Sequence, residues 1–187
     1  HVVATDNNGG MTETSPWTFT VNAENTAPTP FALLSPESEA SFNTTSVSFE
    51  WESSTDSDPM DQVMYHLEIH TEETHMAYET DQTTFTVEGL MDNSIYHWSV
   101  SAHDMNGEVT DNSDGPRMFI VNVQNDPPTL SSMVAPIDSS IQTNLNPLFY
   151  WTEASDPDPM DYVSYHLILT QDIAGSMVQY AVIDSNS

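Results

Sequence analysis

The chain repeats itself at an offset of 100 residues. The segment from Trp51 to Leu67 aligns without a gap on the segment from Trp151 to Leu167, and ten of the 17 aligned positions are identical. A fixed period of this kind indicates consecutive copies of one structural unit. A unit of about 100 residues is the usual size of a β-sandwich domain.

Two polar segments that contain proline, 22–28 (NAENTAP) and 122–128 (NVQNDPP), mark the ends of the repeating unit. Proline cannot donate a ladder hydrogen bond, and it stiffens a linker. We therefore expect residues 1–25 to be the C-terminal strands of a preceding repeat and residues 26–125 to be a complete domain. Residues 126–187 are expected to be the N-terminal part of a following repeat.

Short runs of alternating apolar residues predict seven strands in the complete unit, separated by turn-forming Gly, Pro, Asp and Asn. The predicted strands are Pro30–Leu34, Val47–Glu52, Val63–Ile69, Met76–Thr80, Thr84–Val87, Ile95–Ala102 and Met118–Val123. No segment has a convincing helical period. The predicted fold is all-β: tandem seven-stranded sandwiches, one complete and two partial.

Three sequence features of the complete unit resemble the fibronectin type III family. They are Trp51 on the second strand, Tyr65 on the third, and the stretch GLMDNSIYHWSVSA from Gly89 to Ala102. The resemblance implies an immunoglobulin-like sandwich in which the Tyr96 hydroxyl bonds back to the backbone before the sixth strand. Bacterial immunoglobulin-like and cadherin-like domains are near neighbours of this pattern. The fold is generic scaffolding, so it says little about function.

The charge balance excludes several classes of partner. The chain has 29 acidic residues against a single Lys or Arg, and its formal net charge is −28. Such a chain does not bind nucleic acid phosphates or anionic lipid, and its natural partners are cations and basic surfaces. It has no cysteine, which excludes disulfides and thiolate metal sites.

Acidic residues recur in the loop between the second and third strands, which in this fold lies at the same end as the loop after the sixth strand and the entering linker. The candidate ligands are Asp56, Asp58, Asp61, Asp156, Asp158 and Asp161 in these loops, Asp104 with Asn106 after the sixth strand, and Glu24, Asn25, Asn125 and Asp126 in the linkers. Calcium prefers six to eight oxygen ligands, and clustered carboxylates repel each other without a cation. The pattern therefore suggests calcium at each junction between domains. The alternative is ordinary turn chemistry, in which Asp side chains cap backbone amides.

The other candidate sites are less specific in their sequence pattern. His66 and His70 point outward on the third strand, as His97 and His103 do on the sixth, so a transition-metal patch or a solvated sheet face would explain them. Asn43 begins an N-glycosylation sequon that is absent at the equivalent position 143. No catalytic motif is present, and we expect the protein not to be an enzyme.

We expect a structural segment of an extracellular or cell-surface repeat protein, such as a fibre, a sheath or the stalk of an adhesin. It would act as a spacer that its linkers, and calcium, stiffen. The alternatives are an accessory module of a large secreted hydrolase and a decoration domain of a virion or phage tail. The expected partners are neighbouring repeats or copies of the same chain, whose strands would complete the terminal parts in a filament.

Overall fold

The computed structural model describes residues 1–173 and 176–186, and the elements in these ranges are all β-strands. The fifteen strands are β1 (Val3–Thr5), β2 (Met11–Glu13), β3 (Leu33–Ser35), β4 (Ala40–Phe42), β5 (Val47–Trp51), β6 (Met64–His70), β7 (His75–Thr80), β8 (Thr84–Val87), β9 (Ser94–His103), β10 (Val109–Asp111), β11 (Arg117–Val121), β12 (Met133–Ala135), β13 (Tyr150–Trp151), β14 (Ser164–Ile173) and β15 (Ser176–Asn186). None of the described segments forms a helix with the length and apolar character that crossing a membrane requires.

Residues 26–125, which we call the central unit, form an immunoglobulin-like sandwich of two sheets. One sheet has the order β3-β5-β8, and the other has the order β4-β11-β9-β6-β7, with β10 also paired to β9. The alternating pattern of β5 and β9 buries every second side chain and leaves the others exposed or partly exposed, as expected for strands with one face toward a core. The predicted all-β sandwich is therefore confirmed for this part of the chain.

Aromatic side chains from both sheets fill the core. Phe49 and Phe119 are fully buried, with ring centroids 5.5 Å apart, and Phe49 also packs edge-on against Trp98 at 4.9 Å. Tyr96 stacks on Phe119 at 5.2 Å. Edge-to-face and offset packing of this kind adds to the burial energy of aromatic side chains. The inward-facing residues that alternation predicted thus form one contiguous core.

Two buried tyrosine hydroxyls tie loops to the sandwich. The backbone N–H of Met91 donates to the Tyr96 hydroxyl at 2.8 Å, which confirms the corner that the family resemblance implied. The hydroxyl of Tyr65 accepts from the N–H of Ser54 at 2.7 Å and so anchors the loop after β5. Both bonds leave the tyrosine ring in the core, with its polar end satisfied.

All seven predicted strands of the central unit are present, but two further short strands occur. β4 pairs in parallel with β11, because the chain leaves the first sheet after Ser35 and joins the second. β10 pairs with the end of β9, and a break at residues 112–116 separates it from β11. At this break the Asn112 side chain accepts from Val100 N at 3.1 Å in place of a strand neighbour. Strands of three residues are too short for alternation to be visible in the sequence.

The flanking parts form small sheets of two strands each: β1-β2, β12-β13 and β14-β15. Many details of the central unit recur 100 residues later. Met60 and Met160 both have a left-handed backbone, with φ of 70° and 69°. The Tyr165 hydroxyl accepts from Ala154 N at 2.7 Å, as the Tyr65 hydroxyl does from Ser54 N. The backbone therefore repeats the features that the sequence repeats.

Candidate metal centre at the joints

Two equivalent loops, which we call the first aspartate loop (56–61) and the second aspartate loop (156–161), follow β5 and β13. Each loop is shaped by its own first aspartate. Asp58 N donates to Asp56 Oδ1 at 2.7 Å, and Asp158 N donates to Asp156 Oδ1 at 2.9 Å. These are Asx turns, in which the side chain satisfies a backbone amide two residues on. They hold the following aspartates in a fixed position.

Each aspartate loop brings three carboxylates together. One oxygen from each of Asp56, Asp58 and Asp61 lies within 4.8 Å of the other two, and the same is true of Asp156, Asp158 and Asp161. Like charges at this distance disfavour ionisation unless donors or a cation compensate them. The hydrogen bonds of each oxygen therefore decide what the loops can do chemically.

The first joint consists of the linker 22–28, the first aspartate loop and residues 104–107. Thr26 N donates to Asp58 Oδ2 at 2.8 Å, and the Asn22 amide, with its nitrogen toward the carboxylate, lies 3.2 Å from Asp58 Oδ1. Asp61 accepts from Met105 N at 3.0 Å and from Asn106 Nδ2 at 2.9 Å. The structure thus brings the predicted linker, aspartate loop and loop after the sixth strand into contact.

Asp104 performs turn chemistry at the first joint. Its Oδ1 accepts the backbone amides of Asn106, Gly107 and Glu108, and its Oδ2 accepts Asn25 Nδ2 at 2.6 Å. Burial alone would raise the pKa of Asp104, but these hydrogen bonds outweigh burial and hold the pKa below its usual value. Both oxygens are occupied by donors, so Asp104 shapes the turn from Asp104 to Glu108.

The second joint consists of the linker 122–128, the second aspartate loop and the corner 91–94 of the central unit. Asp126 N donates to Asp158 Oδ2 at 2.8 Å, which repeats the bond from Thr26 to Asp58. Asn93 Nδ2 in turn donates to Asp126 Oδ2 at 2.9 Å. An open cleft of about 630 Å³ lies here, lined by Asn93 and His97 on one side and by residues 156–161 on the other.

Several buried side-chain oxygens at the two joints accept no hydrogen bond within the described part of the chain. They are Asp56 Oδ2 and Asn25 Oδ1 at the first joint, and Asp158 Oδ1, Asn93 Oδ1 and Asn122 Oδ1 at the second. Asp158 as a whole is only 3% exposed. A buried oxygen without a donor costs about 1–3 kcal/mol, and more when it is charged. These oxygens are the atoms available to a cation.

Two further predicted ligands and the predicted glycosylation site are exposed. Glu24 is exposed, and the contact at this residue is to its backbone carbonyl oxygen, from the Asn22 amide at 3.1 Å. Asn125 is exposed, and its amide donates to the Asp126 carbonyl at 3.4 Å. Asn43 lies exposed in the loop between β4 and β5.

The histidines lie on the outer face of the larger sheet, on neighbouring strands. His66 and His103 stack with ring centroids 3.8 Å apart, and His70 stacks on His97 at 5.5 Å. His66 Nε2 lies 3.6 Å from a Glu79 carboxylate oxygen, and His103 Nε2 lies 2.9 Å from the Ser101 hydroxyl, so these two ring nitrogens already have partners other than a metal. Burial and the neighbouring His66 lower the pKa of His103, while Asp111, Glu79 and Asp104 oppose this shift.

Two contacts at the joints were missed from the sequence. Asn93 bonds to the linker of the next repeat, and Asp92 Oδ1 accepts Val123 N at 2.7 Å. Both residues lie at the Tyr96 corner, and Asn93 has a left-handed φ of 52°. Asn in that conformation marks a turn but does not show which loop it faces, so only the path of the linker could have revealed these contacts.

Comparison with known proteins locates the central unit in a known class of domain. No curated protein matches the chain. Thirty-three chains of known structure match it. One is the solution structure of the 6th fibronectin type III domain from human fibronectin type III domain containing protein 3, with 15% identity, a TM-score of 0.38, and coverage of 58% of this chain and 95% of that one. Residues 35–115 match the fibronectin type III domain, a type of domain that typically serves as a structural or binding module.

Proposed function

We propose that this chain is a spacer segment of tandem repeats, divided at residues 25/26 and 125/126, in an extracellular fibre, sheath or adhesin stalk. The observation that carries the proposal is the linker bond that occurs at both joints. Thr26 N donates to Asp58 and Asp126 N donates to Asp158, each at 2.8 Å and at positions exactly one repeat apart. A linker that is hydrogen-bonded to the unit that follows it is restrained. Consecutive units joined by such a linker keep a fixed spacing, and the array resists bending.

The second joint adds restraints from the unit before it. Asn93 and Asp92, at the corner of the central unit, bind Asp126 and the N–H of Val123. Pro127 and Pro128 follow immediately and limit the backbone to extended conformations. The linker is therefore bonded on both sides, which suits a spacer better than a flexible tether.

The charge and the class of domain support an exterior location. Fibronectin type III domains are commonly extracellular. A net charge of −28 with a single basic residue produces self-repulsion that a saline or cation-rich medium screens. The neighbouring repeats or copies of the chain are the proposed partners.

The distance between the central unit and the part that follows it tests the proposal. The chain has no cysteine, so Thr84→Cys and Thr170→Cys, at exposed strand positions, introduce a single pair of spin labels. Double electron–electron resonance is expected to give one narrow distance distribution. The same label pair with Asp158→Ala is expected to give a broader one, because Asp126 N loses its acceptor.

Asp81→Ala, in an exposed turn of the central unit, is the matched control and should leave the distribution narrow. A distribution in the unsubstituted background as broad as that of Asp158→Ala would show that the linker is a free tether, and the spacer proposal would then be wrong.

A further inference from the structure

We propose that the second joint binds one calcium ion between the second aspartate loop and the corner of the central unit, with Asp158, Asp156 and Asn93 among its ligands. The inference deepens the proposed spacer function, and it rests on that function for the claim that the ion fixes the joint. The binding itself is measured separately below.

A buried carboxylate oxygen without a donor is the first observation. Asp158 is 3% exposed, its Oδ2 accepts Asp126 N, and its Oδ1 has no hydrogen-bond partner among the residues that the structure describes. An ionised carboxylate is rarely buried without either donors or a bound cation. Because Asp158 Oδ1 receives no donor from the described residues, a bound cation would supply the compensation that this oxygen lacks.

A second part of the chain, the corner 91–94, lines the same cleft. Asn93 lines the cleft together with Asp156, Asp158 and Asp161, and its Oδ1 is buried without a partner. The Asn122 Oδ1 is in the same condition. At the first joint the equivalent residue, Asn22, donates from its amide nitrogen to Asp58 Oδ1 at 3.2 Å, so that carboxylate oxygen has a donor whereas Asp158 Oδ1 has none among the described residues. The cleft is therefore lined by two segments, the loop and the corner, that each carry an oxygen without a donor among the described residues.

The protein has no positive charge of its own to place there. Its single basic residue, Arg117, is bound to Asp114 at 2.7 Å and to backbone carbonyls near β3. His97 lines the cleft but stacks on His70, on the outer face of the sheet. The charge that balances three aspartates must therefore come from solution.

The donor set selects the kind of cation. Carboxylate and amide oxygens are hard ligands that suit calcium and magnesium, and they suit transition metals less. Calcium accepts six to eight oxygens in a flexible geometry, whereas magnesium requires a near-ideal octahedron and retains its waters. Ligands that come from two separate segments of the chain are more easily arranged in the flexible geometry, so we assign calcium.

The first joint shows the same features in weaker form. Asp56 Oδ2 and Asn25 Oδ1 are buried there and accept no hydrogen bond from any described residue. Asp61, however, receives donors on both oxygens, from Met105 and Asn106. The first aspartate loop therefore keeps fewer free oxygens, and we expect it to bind calcium more weakly than the second.

Calorimetric titration of the full chain tests the inference directly. Protein freed of metal by a chelator is titrated with calcium chloride in 150 mM sodium chloride, which suppresses diffuse binding by the acidic surface. We expect a dissociation constant of about 10⁻⁴ to 10⁻³ M, the range of extracellular calcium modules. Asp158→Asn, which keeps an acceptor for Asp126 N, is expected to weaken this binding at least tenfold. Asp81→Asn removes one charge elsewhere and should bind as the unsubstituted chain does.

Three outcomes would overturn the inference: no binding at 10 mM calcium, equal loss in Asp158→Asn and Asp81→Asn, or equal affinity for magnesium. Tryptophan fluorescence checks the folding of each variant, and Asp156→Asn serves as a second variant should Asp158→Asn unfold. The spin-label distances separate this inference from the spacer function. A narrow distribution without calcium binding overturns the ion alone, whereas calcium binding with a broad distribution supports the ion and overturns the spacer.

Discussion

Arg117 is the most informative single position for stability, because it is the only Lys or Arg in a chain of net charge −28. Its Nη2 donates to Leu33 O at 2.8 Å and to Asp114 Oδ2 at 2.7 Å, and its Nη1 donates to Pro36 O at 3.0 Å. The guanidinium therefore holds the segment in which the chain passes from the first sheet to the second. We predict that Arg117→Met destabilises the central unit.

The expected loss in the free energy of unfolding depends on how deeply each contact of Arg117 is buried. Leu33 is 2% exposed, so its carbonyl loses a charge-assisted bond of about 1.5–3 kcal/mol. The ion pair with Asp114 is partly exposed and contributes about 0.5 kcal/mol. The contact with Pro36 is partly buried, and water can replace part of it, which adds a few tenths. The sum is about 2–4 kcal/mol, or a Tm lower by roughly 10–25 °C for a unit of this size.

Thermal unfolding followed by the fluorescence of Trp51 and Trp98, which are buried in the core, measures this change. Arg117→Lys keeps the charge but loses the planar fork, and we expect it to lose about half as much stability. Equal stability of the Lys variant would show that charge alone matters. An Arg117→Met variant within about 0.5 kcal/mol of the unsubstituted chain would refute the reasoning, since surface substitutions stay within that range.

The pH dependence of stability provides a second test of the Arg117 prediction. Burial would raise the pKa of Asp114, but bonds from Leu33 N, Asn112 and Arg117 outweigh it and lower the pKa. A carboxyl whose pKa is lowered in the folded state stabilises the fold at pH values above its unfolded pKa, which is about 4. This contribution disappears as the pH falls through the folded pKa. The difference between Arg117→Met and the unsubstituted chain should therefore shrink below about pH 4.

Two further predictions concern the core and the sheet face. Phe119→Ala is expected to lower the free energy of unfolding by about 3–5 kcal/mol, because Phe119 is fully buried. Phe19 is the equivalent residue one repeat earlier and is 87% exposed, so Phe19→Ala should change stability by less than about 0.5 kcal/mol in the same unfolding measurement. Similar losses in the two variants would contradict the core assignment. The lowered pKa of His103 means that the folded state disfavours protonation of this residue. The free energy of unfolding should therefore fall as the pH drops from about 6.5 toward about 5.5. His103→Gln should flatten this part of the pH profile, and an unchanged profile would show that the stacked pair with His66 does not sense pH.

The sequence predicted the fold of the central unit well because the fold is encoded locally. Alternating apolar residues in β5, β6 and β9 identified the strands, and the stretch around Tyr96 identified the corner. The elements that escaped prediction are those whose pairing is decided by tertiary contacts. β4 has only three residues, and its position beside β11 follows from the path of the chain after Ser35.

The candidate site was predictable only within one unit. The recurrence of aspartates at 56, 58 and 61 and at 156, 158 and 161 indicated two equivalent clusters, and their proximity to the linker followed from the topology. The contacts of Asn93 and Asp92 with the next linker depend on how consecutive units sit on each other, which no local pattern encodes. The sequence also could not predict which oxygens lack a donor, because this depends on the position of every neighbouring donor in the folded chain.

Turn chemistry and cation chemistry, the two explanations of the acidic loops, are separated by the number of donors around each oxygen. Asp104 receives four hydrogen bonds that occupy both of its oxygens, and the exposed Asp6 accepts the amides of Asn8 and Gly10 on Oδ1, so these two carboxylates perform turn chemistry. The buried Asp158 receives one donor on Oδ2 and none on Oδ1. Both chemistries thus use the same residue type in loops of similar sequence. What distinguishes the joints is that three carboxylates share one small region with too few amides to satisfy them, and this shortage is the reason to look for calcium there.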